Sequence, residues 1–174
     1  MIEFRNDIVR GKVDKKQKVY DKLNELNIIY EIINHEAVNT IEDIEKLGIF
    51  DKYEIPKNLF LRDDKGTEHF LVVLRKDKKA DLRNLRAQIG SRHLSFASEQ
   101  RLNKYLGLEK GSVSPMGIIN DVQAQVKVII DKDLRGKDNL GVHPNDNTST
   151  IIISFDDLIR VIENNGNKII YADI

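Results

Sequence analysis

Two apolar runs, NLFLRD and HFLVVL, joined by the turn sequence DDKG, constrain this chain more than any other feature. β-Branched and aromatic residues crowd both runs, and a turn closing on glycine makes a β-hairpin the economical reading. Such a hairpin needs cover, and the segments around it read as the strands and helices that provide it.

VDKKQKVYDKLNELN sets Val19, Leu23 and Leu26 at helical spacing on an otherwise charged surface, the pattern of an amphipathic helix. IIYEIIN follows as a strand. Thr40 caps a short helix with Asp43 at the capping-box position, and Gly48 ends it. ADLRNLRAQIG reads as a helix, as does SEQRLNKYLG, capped by Ser98 and stopped at Gly107. QVKVIID, NLGVH and TIIIS are strands; Ser154 and Asp157 open a last helix, FDDLIRVIENNG, and NKIIYAD closes the chain as a strand. Hairpins mixed with crossovers predict an α+β fold, a mixed β-sheet or open barrel flanked by helices, rather than a doubly wound one. With 174 residues and no repeat, low-complexity tract or linker, a single domain over residues 1–174 is expected. The segment LEKGSVSPMG stands apart as an irregular loop, the kind that often carries function.

The chain has no cysteine, which removes disulfides, thiolate nucleophiles and cysteine metal sites. MIEFRNDIVRGKVDKK is charged from its third residue and lacks the apolar run of a signal peptide. No later segment has the length of a membrane span, so a cytoplasmic protein with no membrane partner is expected. Four histidines are present without metal-ligand spacing, and no metal site is expected. There is no P-loop, and no G-x-G-x-x-G follows a strand. GSVSP is not a nucleophile elbow, although Ser114 with His143 as nucleophile and base leaves a serine esterase open. Lysines and arginines balance aspartates and glutamates at 28 each, so only local charge can select a partner. That charge gathers in RKDKKADLRNLRAQIGSRH, where Arg75, Lys76, Lys78, Lys79, Arg83, Arg86 and Arg92 face only Asp77 and Asp81. The run is either a solvated helix face with its preceding loop or an RNA phosphate-binding surface, and the two are compatible.

The motifs KNLFLRD, LSFAS…RLNKYLG, GSVSP, VHP and NTST stand in the order seen in one family. From about Lys15 to Ile170 the chain resembles the prolyl-tRNA synthetase-associated, YbaK-like editing domains, especially the free-standing members that deacylate mischarged tRNA such as alanyl-tRNA(Pro). The resemblance implies hydrolysis of an aminoacyl ester on the 3′ adenosine of tRNA, without metal or cofactor, with tRNA and an aminoacyl-tRNA synthetase as partners. An ester this labile needs a positioned water and charge stabilisation more than a covalent nucleophile.

By the same resemblance Lys57 is the catalytic cation, set beside the terminal adenosine or the developing oxyanion, and Asn58 fixes the ester or the water. Gly111, Ser114 and Pro115 belong to the loop that wraps the aminoacyl group; His143 sizes the pocket or holds the amine or water, and Asn147 is a polar contact of the same segment. Lys76, Lys78, Lys79, Arg83 and Arg86 are expected on tRNA phosphates. His35 matches a position the family fills near the mouth of the pocket, yet its sequence context fits a strand-end histidine that bonds backbone; His69 is expected to pack in the core and His93 to touch phosphate. Family members usually place apolar residues where this chain has Asn145 and Asp146, and an aromatic one where Met116 stands, so a reshaped amino-acid pocket is expected. The rival reading is a non-catalytic module of the same fold that binds tRNA, a synthetase or an amino acid.

Overall fold

The computed structural model describes residues 14–48 and 51–174. The expectation drawn from MIEFRNDIVRGKVDKK lies almost wholly outside them. Helix α1 (Lys15–Glu25) starts where the Asp14 carboxylate accepts from the Lys16 amide, and it buries Val19 and Leu23. Strand β1 (Glu31–Asn34) uses the second half of the run expected to form it. Helix α2 (Ile41–Lys46) carries the full capping box between Thr40 and Asp43.

The expected hairpin forms from β2 (Lys57–Asp63) and β3 (His69–Leu74), antiparallel with Lys57 opposite Leu74. Its turn is held by the buried Asp63 carboxylate, which accepts from the amides of Thr67 and Glu68. After helix α3 (Leu82–Ile89), the three-residue strand β4 (Leu94–Phe96) pairs with the end of β2; it is too short to stand out as a run in the sequence. Helix α4 (Glu99–Leu106), strand β5 (Lys127–Asp131), strands β6 (Leu140–Val142) and β7 (Ser149–Ile153), helix α5 (Phe155–Asn165) and strand β8 (Ile169–Ala172) complete the order. The irregular loop is partly regular: residues Pro115–Asn120 wind into a 3₁₀ turn in which the Met116 amide donates to the buried Ser114 hydroxyl.

The fold is α+β, with its strands divided between two sheets. The larger is mixed, in the order β4-β2-β3-β5-β8, with β3, β5 and β8 parallel; the smaller is antiparallel, β1-β7-β6. Alternation along β2 and β3 sends Phe60, Leu71 and Val73 into the main core with α4 and α5, while Leu61, Phe70, Val72 and Leu74 pack beneath α3. A bridge between Glu54 and Leu140 brings the smaller sheet to the start of β2. Among the described residues no helix is long and apolar enough to cross a membrane.

Candidate functional site

Where the two sheets meet, a cavity of about 320 Å³ opens. The five-stranded sheet contributes Lys57, Asn58 and Leu59 from the entrance of β2; the smaller sheet contributes Gly141, Val142 and Thr150, with His143 just after β6. Helix α2 lays Ile41 and Ile44 along one wall beside Val38 and Ile55, and Gly111 and Val113 of the irregular loop close another. The result is a mainly apolar chamber with a few polar side chains in its lining, the usual composition of a small-ligand site.

Those polar atoms are unequally occupied. Oδ1 of Asn58 is buried without a hydrogen-bond partner among the described residues, a costly state unless a ligand or water supplies a donor. The Lys57 ammonium donates to the backbone carbonyl of Lys78, which uses one of its three N–H groups and fixes the side chain against the loop at 75–79. Nδ1 of His143 lies 2.9 Å from the Ser149 carbonyl. A carbonyl only accepts, so Nδ1 carries the proton and Nε2 is left as an acceptor. Burial lowers the pKa of this imidazole and His35 nearby adds to the effect, against the raising influence of the Ser149 carbonyl and Asp146, so the ring is neutral at pH 7.

Of the loop residues expected to wrap a substrate, Gly111 lines the cavity; Ser114 and Pro115 lie buried behind it. Ser114 Oγ donates to the His143 backbone carbonyl at 2.5 Å and accepts from the Met116 amide. Its proton therefore goes to the main chain and not to the imidazole, which leaves the serine–histidine pair of an esterase unformed. Gly111 has a φ of +86°, and a Cβ there would come within 3.0 Å of Asn39 Oδ1. That same oxygen accepts from Asn147 Nδ2 at 3.0 Å. Asn147 thus sits outside the cavity and secures the segment that Gly111 passes.

Asn145, Asp146 and Met116 also fall outside the chamber, so the reshaping expected from them is not seen in its walls. Asn145 Nδ2 donates to the Met116 carbonyl at 3.2 Å, which ties two of these departures together, and Asp146 accepts from the Thr148 amide and hydroxyl. They build the turn that carries His143. His35 bonds the Glu36 carbonyl through Nδ1 and also approaches Thr150 Oγ1 at 2.9 Å, which puts it beside the cavity's wall. His69 is buried as expected, against Phe60 and Tyr105, with Arg101 Nη1 3.0 Å from its Nε2.

The basic run divides. Lys78 is clamped between the wholly buried Asp131 (2.8 Å) and Asp133 (2.7 Å). Lys76 reaches Glu45 at 3.8 Å, and Lys79 is exposed. Arg83 and Arg86 project from α3, where they line a separate concavity of about 380 Å³ with His93 and Leu94. Arg92 is paired with Asp64.

Gly141 belongs to none of the sequence motifs, yet it shapes the site. A Cβ on it would meet Ile55 Cδ1 at 2.3 Å and Thr150 Cγ2 at 3.2 Å, so any side chain there would displace Ile55 from the cavity wall. Its signal is a glycine inside a short apolar strand, which marks close approach. In sequence α2 reads only as a capped helix, because no local pattern tells a wall from a cover.

Comparison with known proteins then bears on this site. Residues 35–161 match the family model of the aminoacyl-tRNA editing domain. The chain is 53% identical over 155 residues to the prolyl-tRNA editing protein ProX of Acetoanaerobium sticklandii, covering 89% of this chain and 94% of that one. It is 31% identical over 153 residues to prolyl-tRNA synthetase associated domain-containing protein 1 of Danio rerio, covering 87% and 83%. A crystal structure described as a candidate trans-editing enzyme for prolyl tRNA synthetase shares the fold, with a TM-score of 0.70, 17% identity and coverage of 94% and 98%.

Proposed function

Because the chain belongs to the aminoacyl-tRNA editing domain family, we infer that it is a trans-editing hydrolase that deacylates mischarged tRNA, and that its substrate is Ala-tRNA(Pro). It acts as one domain, in the cytoplasm where tRNA is charged, on tRNA released by a prolyl-tRNA synthetase.

The observation that carries the reading is the unpartnered Oδ1 of Asn58 in a chamber shared with Lys57 and a neutral His143. An aminoacyl ester supplies what that oxygen lacks, an ammonium donor two bonds from the reacting carbonyl. With the amine on Asn58, the alanine methyl faces the aliphatic wall of Val38, Ile41, Ile44, Ile55 and Val142. The two N–H groups that Lys57 keeps free of the Lys78 carbonyl are available to the carbonyl oxygen as it gains negative charge in the transition state. Water adds to the carbonyl carbon, the bond from that carbon to the ribose 3′ oxygen breaks, and the leaving oxygen takes a proton. Free tRNA and alanine result. Nε2 of His143 is an acceptor for the water or the amine. Gly111 lets the loop's main chain come close to the ester.

The serine-esterase alternative is disfavoured by the Ser114 hydroxyl, whose bond to the His143 carbonyl keeps it from the ring. The deciding test is release of labelled amino acid from Ala-tRNA(Pro), Pro-tRNA(Pro), Ser-tRNA and Cys-tRNA by the wild-type protein and by Lys57→Ala. Ala-tRNA(Pro) is expected to be cleared fastest, with a loss of about a hundredfold or more in the variant, the usual cost of removing one oxyanion donor. Esters that outlast the buffer control while tRNA still binds would replace the enzyme with a binding module.

A further inference from the structure

A second cavity, about 430 Å³, lies against the first and shares four of its lining residues, Asn58, Leu59, Gly111 and Val113. It exists because β4 is short. That strand pairs only with Leu61, Arg62 and Asp63, and the last hydrogen bond on this side of β2 runs from the Ala97 amide to the Phe60 carbonyl. The entrance of β2 is thus bordered by open space rather than by a strand.

The walls of this space differ in chemistry from those of the first. Phe60 and Leu102 are apolar, Phe96 is 64% exposed, and Glu99 and Lys110 stand at the rim. Ile29, Ile32 and Val122 are the other large hydrophobic residues exposed among those described, and none of them lines either cavity. An open aromatic face, a carboxylate acceptor and a cation are the three groups that hold a nucleobase with its phosphate: a π surface to stack on, an acceptor for an exocyclic amine, and a counter-charge.

We propose that the second cavity is the subsite for the 3′-terminal adenine of tRNA, with Phe96 as its stacking platform, Glu99 accepting from the exocyclic amine and Lys110 against the adjoining phosphate. The inference rests on the first cavity being the aminoacyl site. In a 3′-aminoacyl adenosine the ester and the base are joined through a single ribose. Two cavities that share the Asn58 and Gly111 wall suit that molecule, with the ribose crossing the wall.

The chain has no tryptophan, so Phe96→Trp introduces a single reporter at this position. Its fluorescence is titrated with an uncharged acceptor-stem hairpin ending in CCA and with the same hairpin ending in CC. Quenching by the first and not by the second at equal concentration is expected; equal quenching, or none, overturns the proposal. Phe96→Ala and Phe96→Leu are then each expected to raise KM for the aminoacylated hairpin about tenfold, as loss of one base–aromatic stack predicts, with kcat little changed. Leucine keeps apolar bulk without a π face, so a wild-type KM in Phe96→Leu reduces Phe96 to packing and sinks the idea. Because the titration needs no ester, the two readings fail separately. CCA-dependent quenching without deacylation removes the hydrolase and keeps the base subsite, whereas deacylation without quenching removes the subsite alone.

Discussion

The two halves of the basic run look alike in sequence and differ in the folded chain. Lys78, in the loop after β3, has its ammonium on two carboxylates and its carbonyl on Lys57. Arg83 and Arg86, one helix later, have exposed guanidinium groups over a concavity they share with His93. Burial alone would lower the Lys78 pKa, but the Asp131 and Asp133 carboxylates outweigh it and raise it, so this cation is fixed and already neutralised. A cation whose charge is spent internally positions other groups. One with its charge unspent is available to phosphate.

The sharpest way to break this contrast is Lys78→Met. Asp131 is wholly buried, and without Lys78 it keeps only the amides of Arg75 and Asp133. Leaving a buried carboxylate uncompensated costs about 3 kcal/mol, toward the low end for such pairs because the lysine side chain is 21% exposed. Thermal unfolding is expected to show that loss. Deacylation per folded molecule is expected to fall as well, since the loop that orients Lys57 loses its anchor. A variant as stable and active as wild type would make Lys78 a surface cation after all.

Why the sequence does not separate the two halves is a matter of distance along the chain. Lys78 and Asp131 are 53 residues apart, and only the parallel pairing of β3 with β5 brings them together. Local signals fare better. The Thr40–Asp43 capping box, the Ser98, Ser154 and Gly107 helix ends and the DDKG hairpin are legible because each is written within a few residues. β4, three residues long, has too little pattern to register, although the second cavity owes its existence to where that strand stops. At the site the family resemblance draws attention to Lys57, Asn58, Gly111 and His143, which converge on one chamber. It also draws attention to Ser114 and Asn147, which support that chamber from outside, and to Pro115, which lies buried at the start of the 3₁₀ turn. Whether a motif residue lines a wall or braces it depends on side-chain direction, which spacing does not encode.

The other half of the contrast is probed by the double variant Arg83→Ala, Arg86→Ala. Both side chains are exposed, so stability is expected to stay within about 0.5 kcal/mol of wild type. Affinity for tRNA is expected to drop severalfold, and the slope of log affinity against log salt to flatten by roughly 0.7–0.9 for each phosphate no longer neutralised. Those two signatures together are what an electrostatic tRNA face requires. An unchanged salt slope would move the tRNA path off α3.

Lys76 falls between the two kinds and has the smallest expected effect. Its ammonium stands 3.8 Å from Glu45 of α2, with both side chains largely in solvent, so the pair contributes less than about 1 kcal/mol and is screened by salt. It nonetheless joins the loop that holds Lys57 to the helix that walls the cavity. Lys76→Ala is therefore expected to leave the melting temperature almost unmoved and to raise KM for aminoacyl-tRNA at low salt by no more than about two- or threefold, with the difference vanishing as salt rises. A large effect that survives high salt would place Lys76 with Lys78 among the internally committed cations. A salt-sensitive loss as great as that of the Arg83, Arg86 pair would extend the tRNA face across the loop to the mouth of the cavity.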